Sequence, residues 1–200
     1  MRNHRGALQA ALALCLACCA LAAACGGGDT PSTIAKVTVS GTPTVQGELH
    51  AAEIVPKLDD LGFKLISQGK PSASTNFQDV ALAQYQSNST PPMSARVEIS
   101  VLPDVATATT QFGILSEALR NPPAGLFGAD TKQLDTPSPG PGDESKSFVT
   151  ETPDTGGNYV WSDSYRFGRT FVIVYTISND KAKALSIRKA IAEQIEIRAK

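Results

Sequence analysis

Residues 158–178 read "NYVWSDSYRFGRTFVIVYTIS". Tyr159, Trp161, Tyr165 and Phe167 share one parity, with Asp163 among them. Phe171, Ile173, Tyr175 and Ile177 continue that parity beyond Gly168-Arg169. Strand side chains alternate between faces, so each half reads as a β-strand carrying a row of large apolar groups. A two-residue Gly168-Arg169 turn suits hairpin chemistry, with Gly first. It would, however, send the two rows to opposite faces. An odd-length loop would put them on one face. Burying each large side chain contributes roughly 1.5–3 kcal/mol, and eight such groups outweigh one turn preference. The expectation is therefore an odd loop, unless the sheet is covered on both sides.

The flanking sequence extends the pattern. "SFVTET" (147–152) reads as a strand and "PDTGG" (153–157) as a turn before the hairpin. "SND" (178–180) caps a helix running to near the C-terminus, with Ala184, Ile187, Ile191 and Ile195 on one face. An earlier stretch repeats the order. "FQDVALAQYQ" (77–86) is a strand, "SNSTPP" (87–92) a turn, and "ARVEISVL" (95–102) a strand in which Val97, Ile99 and Val101 alternate with Glu98 and Ser100. Asp104 is a candidate N-cap for a helix over 105–120, which buries Val105, Ala108, Phe112, Leu115 and Leu119 and stops at "NPP". Before these, "GELHAAEIVPKLDDLGFKLISQGK" (47–70) predicts a short helix, interrupted near Pro56, and a strand at 63–67. The sum is an α+β fold: an antiparallel sheet with packed helices, read as a duplicated β-β-α unit over residues 48–200. The segment 121–145, rich in Pro and Gly, reads as a long loop in which Leu126 and Phe127 either plug the core or form a flap over an apolar pocket.

Few residues in the domain invite chemistry. His50 stands alone beyond the leader and reads as a solvated helix residue, because a triad needs its base held by a scaffold. One histidine does not complete an ordinary zinc site. Asp59-Asp60 and Asp143-Glu144 are adjacent pairs that point apart in extended chain and read as turn or cap residues. "GFKLISQGK" (62–70) has six residues between its glycines and Pro71 after Lys70, so it fails as a phosphate loop. Tyr159, Trp161 and Tyr165 could stack on a sugar or a base, although three aromatics on one sheet face more often make core. The expectation is no catalytic set, no cofactor and no metal.

The N-terminus supplies an address. Arg2, His4 and Arg5 precede an almost wholly apolar run from Ala7 to Ala24, which ends in small residues before Cys25. Basic head, apolar core and small-residue end are the plan of an export signal. The alternatives are a buried helix, broken at once by Gly26–Gly28, or an uncleaved anchor near the lower length limit for spanning. "LAAACGGGD" (21–29) resembles the lipobox of bacterial lipoproteins. That resemblance implies cleavage after residue 24 and a diacylglyceryl thioether on Cys25. Cys15, Cys18 and Cys19, the other cysteines of the four in the chain, would leave with the leader, so the mature domain would hold neither disulfide nor free thiol. Residues 25–47 are rich in Gly, Ser, Thr and Pro and read as a flexible tether, in which "KVTV" (36–39) is the one strand-like run. In a two-membrane cell, Gly26 after the cysteine would by the family's rule permit sorting to the outer membrane.

Of 18 basic residues, two arginines lie in the leader, so the remainder is mildly acidic and argues against nucleic acid. "LGFKLI" (61–66), "GDES" (142–145) and an aromatic hairpin before an Ile-rich terminal helix are similar to the layout of small bacterial envelope lipoproteins. That likeness implies a non-enzymatic envelope protein. The reading is an extracytoplasmic domain, held to the membrane by its N-terminal lipid, that binds a small ligand or an envelope protein partner. The candidate surfaces are Leu126, Phe127, Tyr159, Trp161 and Tyr165. The alternatives are an envelope hydrolase with dispersed carboxylates and serines, or a purely structural component.

Overall fold

A computed structural model describes residues 49–70, 79–122 and 132–199. Its frame is one seven-stranded sheet, wholly antiparallel, in the order β1-β2-β3-β7-β6-β5-β4. The strands are β1 (Phe63–Gly69), β2 (Asp79–Ser87), β3 (Ser94–Val101), β4 (Gln133–Thr136), β5 (Glu144–Thr150), β6 (Tyr159–Phe167) and β7 (Thr170–Ser178). The helices are α1 (Ala51–Ile54), α2 (Val105–Arg120) and α3 (Lys181–Ala199), with a 3-10 turn at Asp59–Leu61. The α+β class read from the sequence is the one observed.

The hairpin register departs from expectation. Phe167 pairs with Thr170 across the two-residue Gly168-Arg169 turn, so the loop is even. Gly168 takes φ of 55°, a left-handed conformation that costs glycine little. The two apolar rows consequently lie on opposite faces, and both are covered. On the front face, Trp161, Tyr165 and Phe167 join Val172 and Val174 against Ala184, Ile187, Ile191 and Ile195 of α3, with Ala51 and Ile54 of α1 in the same core. On the back face, Phe171, Ile173 and Tyr175 pack with Ala108, Phe112 and Leu119 of α2. Phe112 meets Phe171 edge-on, ring centres 6.4 Å apart. With a core on each side, burial no longer opposes the two-residue turn, and turn chemistry decides the register.

Both long helices begin where the sequence places them. Asp104 accepts the Thr107 N–H at 2.7 Å, and Asp180 accepts that of Lys183 at 3.0 Å. Val105, expected on the buried face of α2, is instead exposed. The duplication holds only as an order of elements. One half is the meander β1-β2-β3 followed by α2, the other is β5-β6-β7 followed by α3 with β4 added at its outer edge, and the two meet at β3 and β7. A two-fold relating antiparallel neighbours stands perpendicular to the sheet and keeps its faces; α2 on the back and α3 on the front break that symmetry. Part of the expected 121–145 loop is the edge strand β4.

From β4 the chain returns over the front face through Pro137–Asp143. A Cβ on Gly140 would stand 2.1 Å from Cβ of Ala192 and 3.6 Å from Cε1 of Tyr165. The segment therefore seats its glycine against α3 and the Tyr165 ring.

Candidate functional site

The front face gathers the aromatic candidates and encloses most of them. Tyr165 has no exposed area and Trp161 5%. Tyr159, half-buried at the strand's start, lies 5.9 Å from the Trp161 ring, with Lys181 Nζ 4.4 Å from its own centre. Among the described candidates only Tyr159 offers a ring near solvent. Leu126, Phe127, Cys25 and the tether run "KVTV" lie outside the described residues.

Between Trp161 and Tyr165 sits Asp163, fully buried. Arg188 of α3 grips it with Nε to Oδ2 at 2.7 Å and Nη2 to Oδ1 at 2.6 Å, and Ser147 of β5 donates its hydroxyl to Oδ1. The Arg188 guanidinium lies 5.9 Å from the Trp161 ring centre. This arrangement is a staple between helix and sheet, with two parallel hydrogen bonds that fit the geometry of the fork. Burial first, then the Asp163 charge, pushes the Tyr165 phenol well above its usual range; the Ser138 hydroxyl and Arg188 oppose them.

The acidic pairs are structural too. Asp143 Oδ2 accepts the Gly168 N–H at 2.6 Å and Arg166 Nη1 at 3.1 Å, while Glu144 Oε1 accepts Arg166 Nε at 2.6 Å. The two carboxylates thus converge on one arginine rather than point apart, and they brace the hairpin turn. Asp59 and Asp60 lie in the 3-10 turn, as expected of turn residues. His50 Nδ1 meets Asp79 Oδ2 at 3.0 Å with its side chain 55% exposed, and the same oxygen accepts the Ala51 N–H at 3.0 Å. The pair ties the start of the domain to β2. Among the described residues, no group of three His, Cys, Asp or Glu could hold a metal ion.

The arrangement with unmatched chemistry is on the back face. Helix α2 packs over β4, β5, β6 and β7 there, and among the described residues no helix packs on the back of β1, β2 and β3. The strand registers align a polar row across that half: Ser67, Gln84, Arg96 and Tyr175 occupy matched positions on β1, β2, β3 and β7. The row descends from exposed Ser67 through half-buried Gln84 to Arg96, 2% exposed, and Tyr175, 4% exposed. Ser67 donates to Gln84 Oε1 at 3.1 Å, which leaves the Gln84 amino group as a donor. Glu98, two residues along the strand, reaches Arg96 through Nη2 at 2.5 Å. Arg96 Nε and Nη1 are buried with no hydrogen-bond partner. Leaving a buried donor unmatched costs about 1–3 kcal/mol, more on a charged group. Sequence reading marked Glu98 and Ser100 on this parity and passed over Arg96. Its neighbour in the row, Tyr175 of β7, comes from far along the chain and gives Arg96 no local signal.

The molecule is thus a two-cored α+β domain with a donor-rich row on one half-face. No family model matches the chain, and no curated protein matches it. Among solved structures it is similar to the extracellular domain of PknH from Mycobacterium tuberculosis, with a TM-score of 0.55 at 8% identity over 74% of this chain and 94% of that one. At that identity the likeness is one of fold alone. Among the described residues, no helix is long and apolar enough to cross a membrane.

Proposed function

We propose that the chain is a lipid-anchored, extracytoplasmic, non-catalytic domain that binds a small ligand or protein partner on the back face of β1–β3. The observation that carries the reading is the Ser67–Gln84–Arg96 row, a rank of polar side chains on a half-face where, among the described residues, no helix packs, ending in a buried arginine with two unmatched donors. Surface polar side chains are ordinarily solvated, and a buried cation with open donors is not. The lipobox-like "LAAACGGGD" supports the anchor, and a fold shared with an extracellular domain supports the compartment. On this reading Cys25 carries the lipid, and the tether lets the domain stand off the bilayer surface.

Two measurements test the proposal in an expressing bacterium. Labelled palmitate should enter the full chain and be lost in Cys25→Ser, with the protein moving from the detergent to the aqueous phase. A photo-crosslinking side chain at Gln86, exposed on the back face, should give a discrete adduct that the same group at Ile197, 78% exposed on α3, does not. Equal yields at the two positions, or none at either, would sink the binding reading.

A further inference from the structure

We infer that the Arg96 row is an oxyanion site, taking a ligand that carries a carboxylate or phosphate group; this rests on the binding reading above and specifies its chemistry. The carboxylate beside Arg96, Glu98, is engaged with Nη2, and the open groups of Arg96 itself are donors. Its Nε and Nη1 are buried without partners, the Gln84 amino group is freed by the Ser67 hydrogen bond to its carbonyl, and Lys64 stands on the same face, paired with Gln86 on the neighbouring strand. Guanidinium donors form their strongest hydrogen bonds with anionic oxygens, and a weakly hydrated guanidinium tolerates the burial an ammonium resists. Glu98 holds the group by Nη2 alone, which fixes its orientation while leaving the other two nitrogens to a ligand. A neutral hydroxyl ligand would gain less from these donors, because the charge-assisted bonds to an anionic oxygen are the stronger ones.

The site predicts a counter-intuitive effect of Glu98. A carboxylate beside the guanidinium competes with an incoming anion, so removing its charge should strengthen binding, whereas removing half of a purely structural ion pair should only weaken the fold.

The test uses the full chain purified in detergent, titrated with sodium acetate and with sodium phosphate at constant ionic strength, against sodium chloride. Heat of binding is read directly. Unfolding is followed by fluorescence of Trp161, the single tryptophan, which lies on the opposite face from the row. At ten times the dissociation constant the unfolding midpoint should rise by about 3–6 °C. Glu98→Gln should tighten binding about three- to tenfold. Arg96→Met combined with Glu98→Gln, which removes both charges together, should abolish the saturable response and leave only the linear salting effect of the anion. Should that double variant fail to fold, Gln84→Met on the half-buried part of the row should weaken binding at least about threefold. Saturation by acetate alone points to a carboxylate ligand, such as an acidic peptide or sugar acid; saturation by phosphate points to a phosphate group. No saturable response to either anion beyond chloride overturns the inference, as does a saturable response that survives loss of Arg96. If the Gln86 adduct forms while both anions fail, the binding face stands and its oxyanion chemistry falls. If both fail, the binding reading itself is wrong.

Discussion

Among the described residues two arginine–carboxylate pairs are buried, one on each face of the sheet, and they are built differently. Arg188 holds Asp163 through two parallel bonds, with Ser147 on the same carboxylate. Arg96 reaches Glu98 through one nitrogen and keeps two donors unmatched. The first joins elements on different layers, β6 and α3. The second contact joins neighbours on one strand, so by itself it ties no two elements together. A buried charge whose partners are complete serves the fold, and one whose partners are incomplete is available to something else.

The sharpest way to break this contrast is to remove one side of the complete pair. Arg188→Ala should leave Asp163 without its partner and with no exposed area, and should cost about 3–5 kcal/mol of stability, read by urea unfolding. Asp163→Ala should cost a similar amount. Replacing both together by Met and Leu should be near neutral, because the penalty belongs to the widowed charge rather than to the lost pair. If either single variant costs less than about 1 kcal/mol, the staple reading is wrong.

A smaller effect comes from the segment that crosses the staple's face. Gly140→Ala would set its Cβ 2.1 Å from that of Ala192, so the return segment must lift from α3. Such overpacking costs typically about 1–3 kcal/mol. Ala192→Gly in the same chain should recover a large part of it, since the clash lies between those two carbon atoms. The same substitution at Gly69, where a Cβ would meet nothing within 4 Å, is the control.

How much of this was legible from sequence follows from the range of each interaction. The helices at 105–120 and 181–199 were readable because caps and apolar spacing are local. The strands were readable from their alternation. The hairpin register was not, because it turned on whether Phe171, Ile173 and Tyr175 had a cover of their own. That cover is α2, which the chain supplies dozens of residues earlier. β4 was missed because "QLDT" within a Pro- and Gly-rich run has no strand pattern, and only pairing with β5 defines it. For the site, the aromatic stripe drew attention by composition and proved largely enclosed. Arg96 carries no local mark of a site, because Tyr175, its neighbour in the row, belongs to β7 far along the chain.

The smallest expected effect separates two buried tyrosines and so sharpens the description of the front face. Burial is the leading cause that pushes both Tyr85 and Tyr165 upward, with Arg198 opposing it at Tyr85 and Asp163 adding to it at Tyr165. A phenol raised in the folded state stays protonated there while the unfolded chain ionises near pH 10. Its contribution is therefore complete below about pH 10 and is lost as pH rises from there toward the folded value, by at most about 1.4 kcal/mol per pH unit for each group. Urea midpoints between pH 7 and 11 should fall at the alkaline end for the natural chain, and less steeply for Tyr165→Phe and for Tyr85→Phe. The two variants should part at neutral pH. Tyr85 donates to the Pro56 carbonyl at 2.6 Å, so its phenylalanine variant forfeits a buried hydrogen bond worth about 1 kcal/mol. Tyr165 makes no bond of that quality, and its variant should hold its neutral-pH stability more nearly intact. If Tyr165→Phe leaves the alkaline slope unchanged, the hydroxyl reaches water in the folded protein. The Gly140 segment would then not seal the face on which the staple sits.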